Sequence, residues 1–145
     1  MFNKHISILI VDDDSDMREF LRGVFEDEEF IVYEARDGVN AVKKTIEVNP
    51  DIILLDIVMP FLNGWEALEI IRKRPASKKT PVILYSGLFE ASLRFAAEPR
   101  SNCVFLQKPF AIKSMLDCIN GFAAPLDHQI EDGTVFNENY GSFKG

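Results

Sequence analysis

Short apolar runs alternate with amphipathic stretches along the chain as far as about residue 124. Most of these runs are apolar at nearly every position, which is typical of strands in a parallel sheet that is covered on both faces. A strand with one face in water would alternate apolar and polar residues instead. We therefore predict five strands, at residues 6–11, 30–34, 52–55, 82–85 and 104–106.

The stretches between the predicted strands carry apolar residues at the spacing of an amphipathic helix. Met17, Leu21 and Phe25 mark the first helix, for which Asp14 or Ser15 is the candidate N-cap. Strands that alternate with helices imply right-handed βαβ units and an α/β fold with a parallel sheet. The other four helices are predicted at 39–48, from Asn63-Gly64 through Ile71, at 91–97 and at 112–122, the last one ended by Gly121 and Pro125.

Length and charge narrow the possible partners. The chain has 145 residues, enough for one domain with a substantial core, and a net charge of −7. It contains no cluster of Lys or Arg, so we expect no direct binding to nucleic acid or to an anionic membrane, since both favour dense positive charge.

No apolar stretch could span a bilayer or serve as a signal peptide, and a cytoplasmic location is expected. Cys103 and Cys118 match no metal-ligand spacing and are expected to be buried thiols.

Chemically capable residues follow four of the five predicted strands. Asp12 and Asp13 come after the first strand, Asp56 after the third, Ser86 after the fourth and Lys108 after the fifth. Ligand sites in open α/β sheets lie outside the carboxyl ends of the strands. The sequence therefore predicts that these side chains converge at one edge of the sheet.

Three carboxylates at one site repel each other unless something compensates their charge. A divalent cation would do so, and Mg²⁺ prefers hard oxygen ligands of this kind together with phosphate oxygens. Lys108 would add a positive charge and Ser86 a hydroxyl donor. Such a set suits a phosphoryl group, whose transfer depends mainly on positioning and charge neutralisation. One carboxylate could act as the nucleophile and become an acyl phosphate.

Four motifs carry a family resemblance. VDDDSDMR, LLDIVMPFLNG, VILYSG and LQKPF resemble, in order and in separation, the receiver domain of bacterial response regulators in two-component signalling. The resemblance covers about residues 4–124. It implies a flavodoxin-like (βα)5 fold, a doubly wound five-stranded parallel sheet with strand order 2-1-3-4-5. It also implies a receiver domain at 1–124, which leaves 125–145 as a flexible tail or linker.

The resemblance implies roles for the site residues. Asp56 resembles the phosphoacceptor, which takes a phosphoryl group from a sensor histidine kinase or a histidine phosphotransfer protein in a phosphorelay. Asp12, Asp13, Asp56 and the backbone carbonyl of Val58 resemble the Mg²⁺ ligands. A receiver of this kind catalyses only its own phosphorylation and dephosphorylation, so the chain is not expected to be an enzyme in the usual sense.

Further positions match the conformational switch of the family. Ser86 and Phe105 resemble the switch residues, and Lys108 resembles the lysine that pairs with the phosphoryl group. The Lys108-Pro109 bond is expected to be cis, and Gly64 resembles the turn glycine of the family. Phe105 lacks the hydroxyl of the tyrosine often found there, so packing alone would drive its movement.

The surface of the fourth helix, fifth strand and fifth helix, about residues 88–122, is the candidate site for a downstream target or a homodimer. Of its apolar residues, we expect Leu93 and Phe95 to be core and Phe89 to be exposed. Val58 and Leu88 flank the expected path of attacking water, and their apolar side chains suggest slow self-dephosphorylation.

Two other functions remain open from the sequence. In a haloacid-dehalogenase-type phosphohydrolase, Asp12 would be the nucleophile and Asp14 the acid, but Asp56 would have no role and no paired acids follow Lys108. Alternatively, the chain is a receiver that binds partners without being phosphorylated. Loss of phosphate-ester turnover on changing Asp12 would indicate the first, and absence of any phosphoryl adduct the second.

Overall fold

The computed structural model describes residues 5–128, and its elements alternate between strand and helix. A short 3₁₀ turn at Pro75–Ser77 precedes the fourth strand. The strands are β1 (Ser7–Val11), β2 (Ile31–Ala35), β3 (Ile52–Asp56), β4 (Val82–Ser86) and β5 (Cys103–Gln107), and the helices are α1 (Ser15–Asp27), α2 (Gly38–Val48), α3 (Gly64–Lys73), α4 (Phe89–Ala97) and α5 (Ile112–His128).

The five strands form one parallel sheet in the order β2-β1-β3-β4-β5. This confirms the predicted doubly wound α/β fold and its strand order. The register places Val11 opposite Leu55, and Asp56 opposite Tyr85. Because parallel strands in register end together, the last residues of β1, β3 and β4 lie at the same edge of the sheet.

The apolar strands are buried on both faces of the sheet, which explains their continuous apolar sequences. On one face, β1 and β3 residues such as Leu9 and Ile53 pack in a cluster with residues of α2, α3 and α4. On the other face, Ile8 and Ile52 pack in a second cluster with α1 and α5. Each fully buried Leu or Ile side chain contributes about 1.5–3 kcal/mol, so these two layers hold the strand ends in place.

Two helix starts follow the caps that the sequence offers. Asp14, not Ser15, is the N-cap of α1, and its side chain accepts from the backbone N–H groups of Asp16 and Met17. At α3, Asn63 and Glu66 form a capping box. A capping box satisfies two otherwise unpaired backbone donors, so the start of the helix after the β3 loop is well defined.

The predicted end of the fifth helix was wrong. We predicted that Gly121 and Pro125 end it, whereas α5 continues to His128. Phe122 and Ala123 are buried against the core, and this burial outweighs the low helix propensity of Gly121. The proposed domain boundary at residue 124 stays a prediction, since residues 129–145 lie outside the described part. No helix within residues 5–128 combines the length and the apolar character needed to cross a membrane.

Candidate functional site

Three aspartates lie together at the carboxyl edge of the sheet. Asp12 follows β1 and is 1% exposed, Asp56 ends β3 and is 4% exposed, and Asp13 is exposed. One carboxylate oxygen from each lies within 4.8 Å of the other two. The neighbouring strands β1 and β3 therefore bring these acids together, at the edge where the sequence placed them.

Lys108 provides a positive charge within this cluster. Its Nζ lies 3.5 Å from Asp56 Oδ2 and 3.7 Å from Asp12 Oδ2. The residue follows β5, and its peptide bond to Pro109 is cis, as the family resemblance implied. One ammonium group thus contacts two of the three carboxylates, which leaves the site with excess negative charge.

The pKa of Asp56 reflects both its burial and this excess charge. Burial raises the pKa of Asp56 to about 6, and the charge of Asp12 acts in the same direction. Lys108 and the N–H of Val58, which donates to Asp56 Oδ1 at 3.2 Å, oppose the rise without cancelling it. Buried, uncompensated carboxylate oxygens are the donor set that a hard divalent cation prefers. The residues present therefore fit Mg²⁺.

Tyr85 belongs to the site, although the sequence analysis missed it. Its ring is fully buried at the end of β4, and its hydroxyl donates to Asp12 Oδ2 at 2.6 Å. Burial, followed by the charge of Asp12, raises the pKa of Tyr85 well above its usual value, so the hydroxyl stays protonated and remains a donor. The predicted strand 82–85 treated this tyrosine as one more apolar core residue, and no local pattern distinguishes the two.

Ser86 ends β4 and is fully buried. Its Oγ accepts a hydrogen bond from the N–H of Leu88 at 3.0 Å. A serine hydroxyl that accepts in this way still has its own proton to donate. The backbone carbonyl of Ser86 also accepts from the N–H of Lys108 at 2.8 Å, which ties the ends of β4 and β5 together.

Phe105 on β5 is partly buried and connects the sheet to α4. Its ring stacks on Phe95, with 5.9 Å between centroids and 25° between planes. Phe95 is buried, as predicted for a core residue, and Phe89 is 65% exposed, also as predicted. The expectation for Leu93 was wrong, because it is 54% exposed on the outer side of α4. Leu88 and Val58 are also about half exposed, at 50% and 51%.

Gly64 supports the backbone of Asp56. A Cβ at this position would lie 2.5 Å from the Asp56 carbonyl oxygen and 2.7 Å from the Cα of Ile57. Both distances are shorter than a real Cβ contact, so only glycine allows α3 to start this close to the end of β3. The N–H of Gly64 also donates to the Ile57 carbonyl at 2.8 Å. The glycine of the LLDIVMPFLNG motif thus fixes the backbone around Asp56.

The position of Asp14 argues against the phosphohydrolase alternative. Its carboxylate accepts from the N–H of Asp16 at 2.9 Å and caps α1, so it is occupied at the helix start. The cluster of acids contains Asp56 instead. An acid pair of Asp12 and Asp14 facing one substrate is therefore absent among the described residues.

Comparison with known proteins agrees with this geometry. The family model described as the response regulator receiver domain matches residues 8–120. A chemotaxis protein CheY from Listeria monocytogenes is 38% identical over 116 residues, which cover 79% of this chain and 95% of that protein. A chemotaxis protein CheY from Halobacterium salinarum is 34% identical over 113 residues, which cover 78% of this chain and 92% of that protein.

Solved structures show the same architecture. A putative response regulator from Chloroflexus aurantiacus aligns with a TM-score of 0.74 at 27% identity, covering 83% of this chain and 99% of that one. The fold, the acidic cluster at the carboxyl edge and the match over most of the chain agree with one another. The chain therefore belongs to the response regulator receiver domain family, the signalling modules of two-component systems.

Proposed function

We propose that Asp56 accepts a phosphoryl group from a phosphohistidine on a sensor histidine kinase or a histidine phosphotransfer protein. A carboxylate oxygen of Asp56 attacks the phosphorus, and the P–N bond breaks with its electron pair passing to the histidine ring. The observation that carries this proposal is the position of Asp56, buried at the end of β3 with Lys108 Nζ at 3.5 Å. Above its pKa of about 6 the carboxylate is ionised and can act as the nucleophile.

Asp12, Asp13, Asp56 and the backbone carbonyl of Val58 would hold Mg²⁺. The ion, when bound, neutralises charge on the carboxylates and on the phosphoryl oxygens. Lys108 binds the phosphoryl group through its ammonium, and the free proton of the Ser86 hydroxyl is available to a phosphoryl oxygen. The reaction is the protein's own modification, so it has no external substrate that turns over.

The phosphoryl group would change the partner-binding surface. It adds about two negative charges and several strong acceptors at the site. Ser86 moves toward these acceptors, and Phe105 carries the change to α4 through its stacking contact with Phe95. Three exposed apolar residues in and just before α4, Leu88, Phe89 and Leu93, form part of the surface at 88–122 that meets a downstream protein or a second copy of the chain. We place the protein in the cytoplasm, without direct contact to nucleic acid or membrane.

Self-dephosphorylation is proposed to be slow. Val58 and Leu88 are exposed but apolar, so neither can orient a water molecule for attack on the acyl phosphate. A half-life of the phosphorylated protein on the scale of seconds would contradict this part of the proposal.

Intact mass after incubation with Mg²⁺ and acetyl phosphate tests the proposal. We compare wild type, Asp56→Asn and the control Asp51→Asn, which removes an acid bonded to Ser7 near the opposite end of β3. One phosphoryl adduct in wild type and Asp51→Asn, with none in Asp56→Asn, supports the proposal. An adduct in Asp56→Asn would show that another residue is the nucleophile. No adduct in any protein, with Mg²⁺ bound, would indicate either a receiver that acts by binding alone or one that accepts the phosphoryl group from its protein donor and not from a small molecule.

A further inference from the structure

The phenol of Tyr85 contacts one of the proposed Mg²⁺ ligands directly. Its hydroxyl lies 2.6 Å from Asp12 Oδ2 and 3.3 Å from the carbonyl oxygen of Val11. A phenol has one proton to donate, and the shorter contact is the one with the charged acceptor. The proton is therefore directed at the Asp12 carboxylate, inside the core and away from water.

Asp12 is held from two sides by this contact and by its own loop. Tyr85 binds Oδ2, while the backbone N–H of Asp14 donates to Oδ1 at 2.9 Å. With both oxygens bonded, the carboxylate plane has one preferred orientation. A hydrogen bond to a metal ligand that fixes its orientation in this way raises metal affinity.

The ring of Tyr85 also contacts the lysine of the site. Lys108 Nζ lies 4.7 Å from the ring centroid, a cation–π contact. Phe110 packs edge-on against the same ring, with 5.9 Å between centroids and 89° between planes. The aromatic ring thus limits where the lysine ammonium can go next to the carboxylates.

The backbone of Tyr85 is as firmly placed as its side chain. Tyr85 lies opposite Asp56 in the β3–β4 ladder, and its carbonyl accepts from the N–H of Ile57 at 3.0 Å. The tyrosine is therefore fixed relative to the proposed phosphoacceptor before any ligand binds.

We propose that Tyr85 is a positioning residue that orients Asp12 through its hydroxyl and Lys108 through its ring. This inference rests on the proposed function, because it assigns Tyr85 a role at the Mg²⁺ and phosphoryl site. The two parts of the side chain have separate effects: the hydroxyl sets Mg²⁺ affinity, and the ring sets the place of the lysine that meets the phosphoryl group.

Isothermal titration of Mg²⁺ into the full chain tests the role of the hydroxyl. Tyr85→Phe is expected to raise the Mg²⁺ Kd about tenfold, the scale for loss of a hydrogen bond to a metal ligand. Tyr33→Phe is the matched control, since it removes a phenol hydroxyl from β2, the edge strand that β1 separates from β3 and β4. It is expected to keep the wild-type Kd. Thermal melting without Mg²⁺ is expected to show that both variants are folded.

A second pair of variants shows whether Tyr85 acts through Asp12. In an Asp12→Ala background, which lacks the acceptor of the Tyr85 hydroxyl, NMR titration with Mg²⁺ is expected to give Kd values within about twofold with and without Tyr85→Phe. If the hydroxyl had a merely structural effect, Tyr85→Phe would still raise the Mg²⁺ Kd in that background. Such a rise would overturn the inference even if Tyr85→Phe were less stable than wild type.

Phosphoryl uptake at saturating Mg²⁺ tests the role of the ring. Tyr85→Phe is expected to recover the wild-type rate with acetyl phosphate once Mg²⁺ saturates, while Tyr85→Leu stays slower because Lys108 has lost its ring contact. Equal Mg²⁺ Kd values for wild type and Tyr85→Phe would overturn the inference alone and leave the proposed function standing. Failure of wild type to bind Mg²⁺ would overturn both.

Discussion

Two groups of charged side chains in the protein differ in how their charge is balanced. In the first, which we call the arginine network, Arg18 and Arg22 face Glu26 and Glu34. Arg18 Nε lies 2.8 Å from Glu34 Oε1, and Arg22 Nη1 lies 2.7 Å from Glu26 Oε2. Burial alone would raise the pKa of Glu34, but hydrogen bonds from Arg22 and Arg18 outweigh it, and the pKa lies below its usual value.

The second group is the acidic cluster of Asp12, Asp13 and Asp56 with Lys108. It is more deeply buried at Asp12 and Asp56 than the arginine network, yet it has one cation for three acids. Burial, followed by the charge of Asp12, raises the pKa of Asp56 to about 6. The difference shows which group serves the fold: the arginine network is neutralised by its own side chains, whereas the described residues leave the cluster with negative charge that a bound cation would balance.

The largest expected effect comes from removing the Asp56 charge. Asp56→Asn is expected to raise the free energy of unfolding at neutral pH, without Mg²⁺, by up to about 3 kcal/mol, since about 2 pKa units separate the folded value of about 6 from 3.8. The amide can keep the hydrogen bond from the Val58 N–H, so the loop after β3 is preserved. Urea denaturation measures the difference.

The pH dependence gives the sign of this effect. Below about pH 3.8 Asp56 is protonated in both states, so its stabilising contribution is fully present. As pH rises toward 6 the unfolded chain releases the proton first, and wild type loses stability relative to Asp56→Asn. A wild type more stable than Asp56→Asn at neutral pH would contradict the unbalanced charge of the cluster.

In the arginine network, replacing a carboxylate by its amide is expected to destabilise the folded protein. Glu34→Gln leaves Arg18 and Arg22 without their shared carboxylate and should lower the free energy of unfolding by about 1–2 kcal/mol. Because the pKa of Glu34 is lowered, its contribution is present above the unfolded value of 4.5 and is lost as pH falls through the folded value.

Glu47→Gln provides the control for Glu34→Gln. Glu47 is 67% exposed and, within residues 5–128, forms an ion pair with Lys44 of its own helix at 3.3 Å, so the expected loss is below about 0.5 kcal/mol. Equal losses for the two variants in urea denaturation would mean that the arginine network contributes no more than an ordinary surface pair.

The sequence predicted the acidic cluster better than it predicted the residue that orients Asp12. Asp12, Asp56 and Lys108 each follow an apolar run, and the carboxyl ends of parallel strands share one edge, so their convergence follows from the pattern alone. The hydrogen bond from Tyr85 to Asp12 joins residues 73 positions apart. Neither periodicity nor composition contains that pairing, because it depends on which way one side chain of a buried strand points.

The fold was predictable for a related reason. Strands buried on both faces have apolar sequences at nearly every position, and the predicted run 52–55 differs from β3, Ile52–Asp56, by one residue. Helix ends were harder, since they depend on contacts beyond the local sequence. Phe122 extends α5 by packing on the core, and Leu93, apolar but exposed, shows that residue type alone does not assign a helix face.

Mg²⁺ should stabilise the protein through the cluster alone. At ten times its Kd the ion is expected to raise the free energy of unfolding of wild type by about 1.4 kcal/mol. Glu34→Gln should gain the same amount, because the arginine network is outside the cluster, while Asp56→Asn should gain less. A smaller gain in Glu34→Gln than in Asp56→Asn would show that the network, and not the cluster, takes up the ion.

The smallest expected effect is that of monovalent salt. It weakens the stabilising attraction in the arginine network and the destabilising repulsion in the acidic cluster, so its effects on the stability of wild type are opposite. Screening weakens attraction in the arginine network, so the stability lost in Glu34→Gln should shrink by about 0.3–0.5 kcal/mol between low and high KCl in urea denaturation. Screening also weakens repulsion in the cluster, so the stability gained in Asp56→Asn should shrink too. The loss of the Asp56→Asn gain should be the smaller fraction of the total effect, because Asp12 and Asp56 are buried, at 1% and 4% exposure, and salt screens buried charges less than exposed ones. If salt removed most of the gain in Asp56→Asn, the repulsion would come from exposed charges such as Asp13 and not from the buried pair.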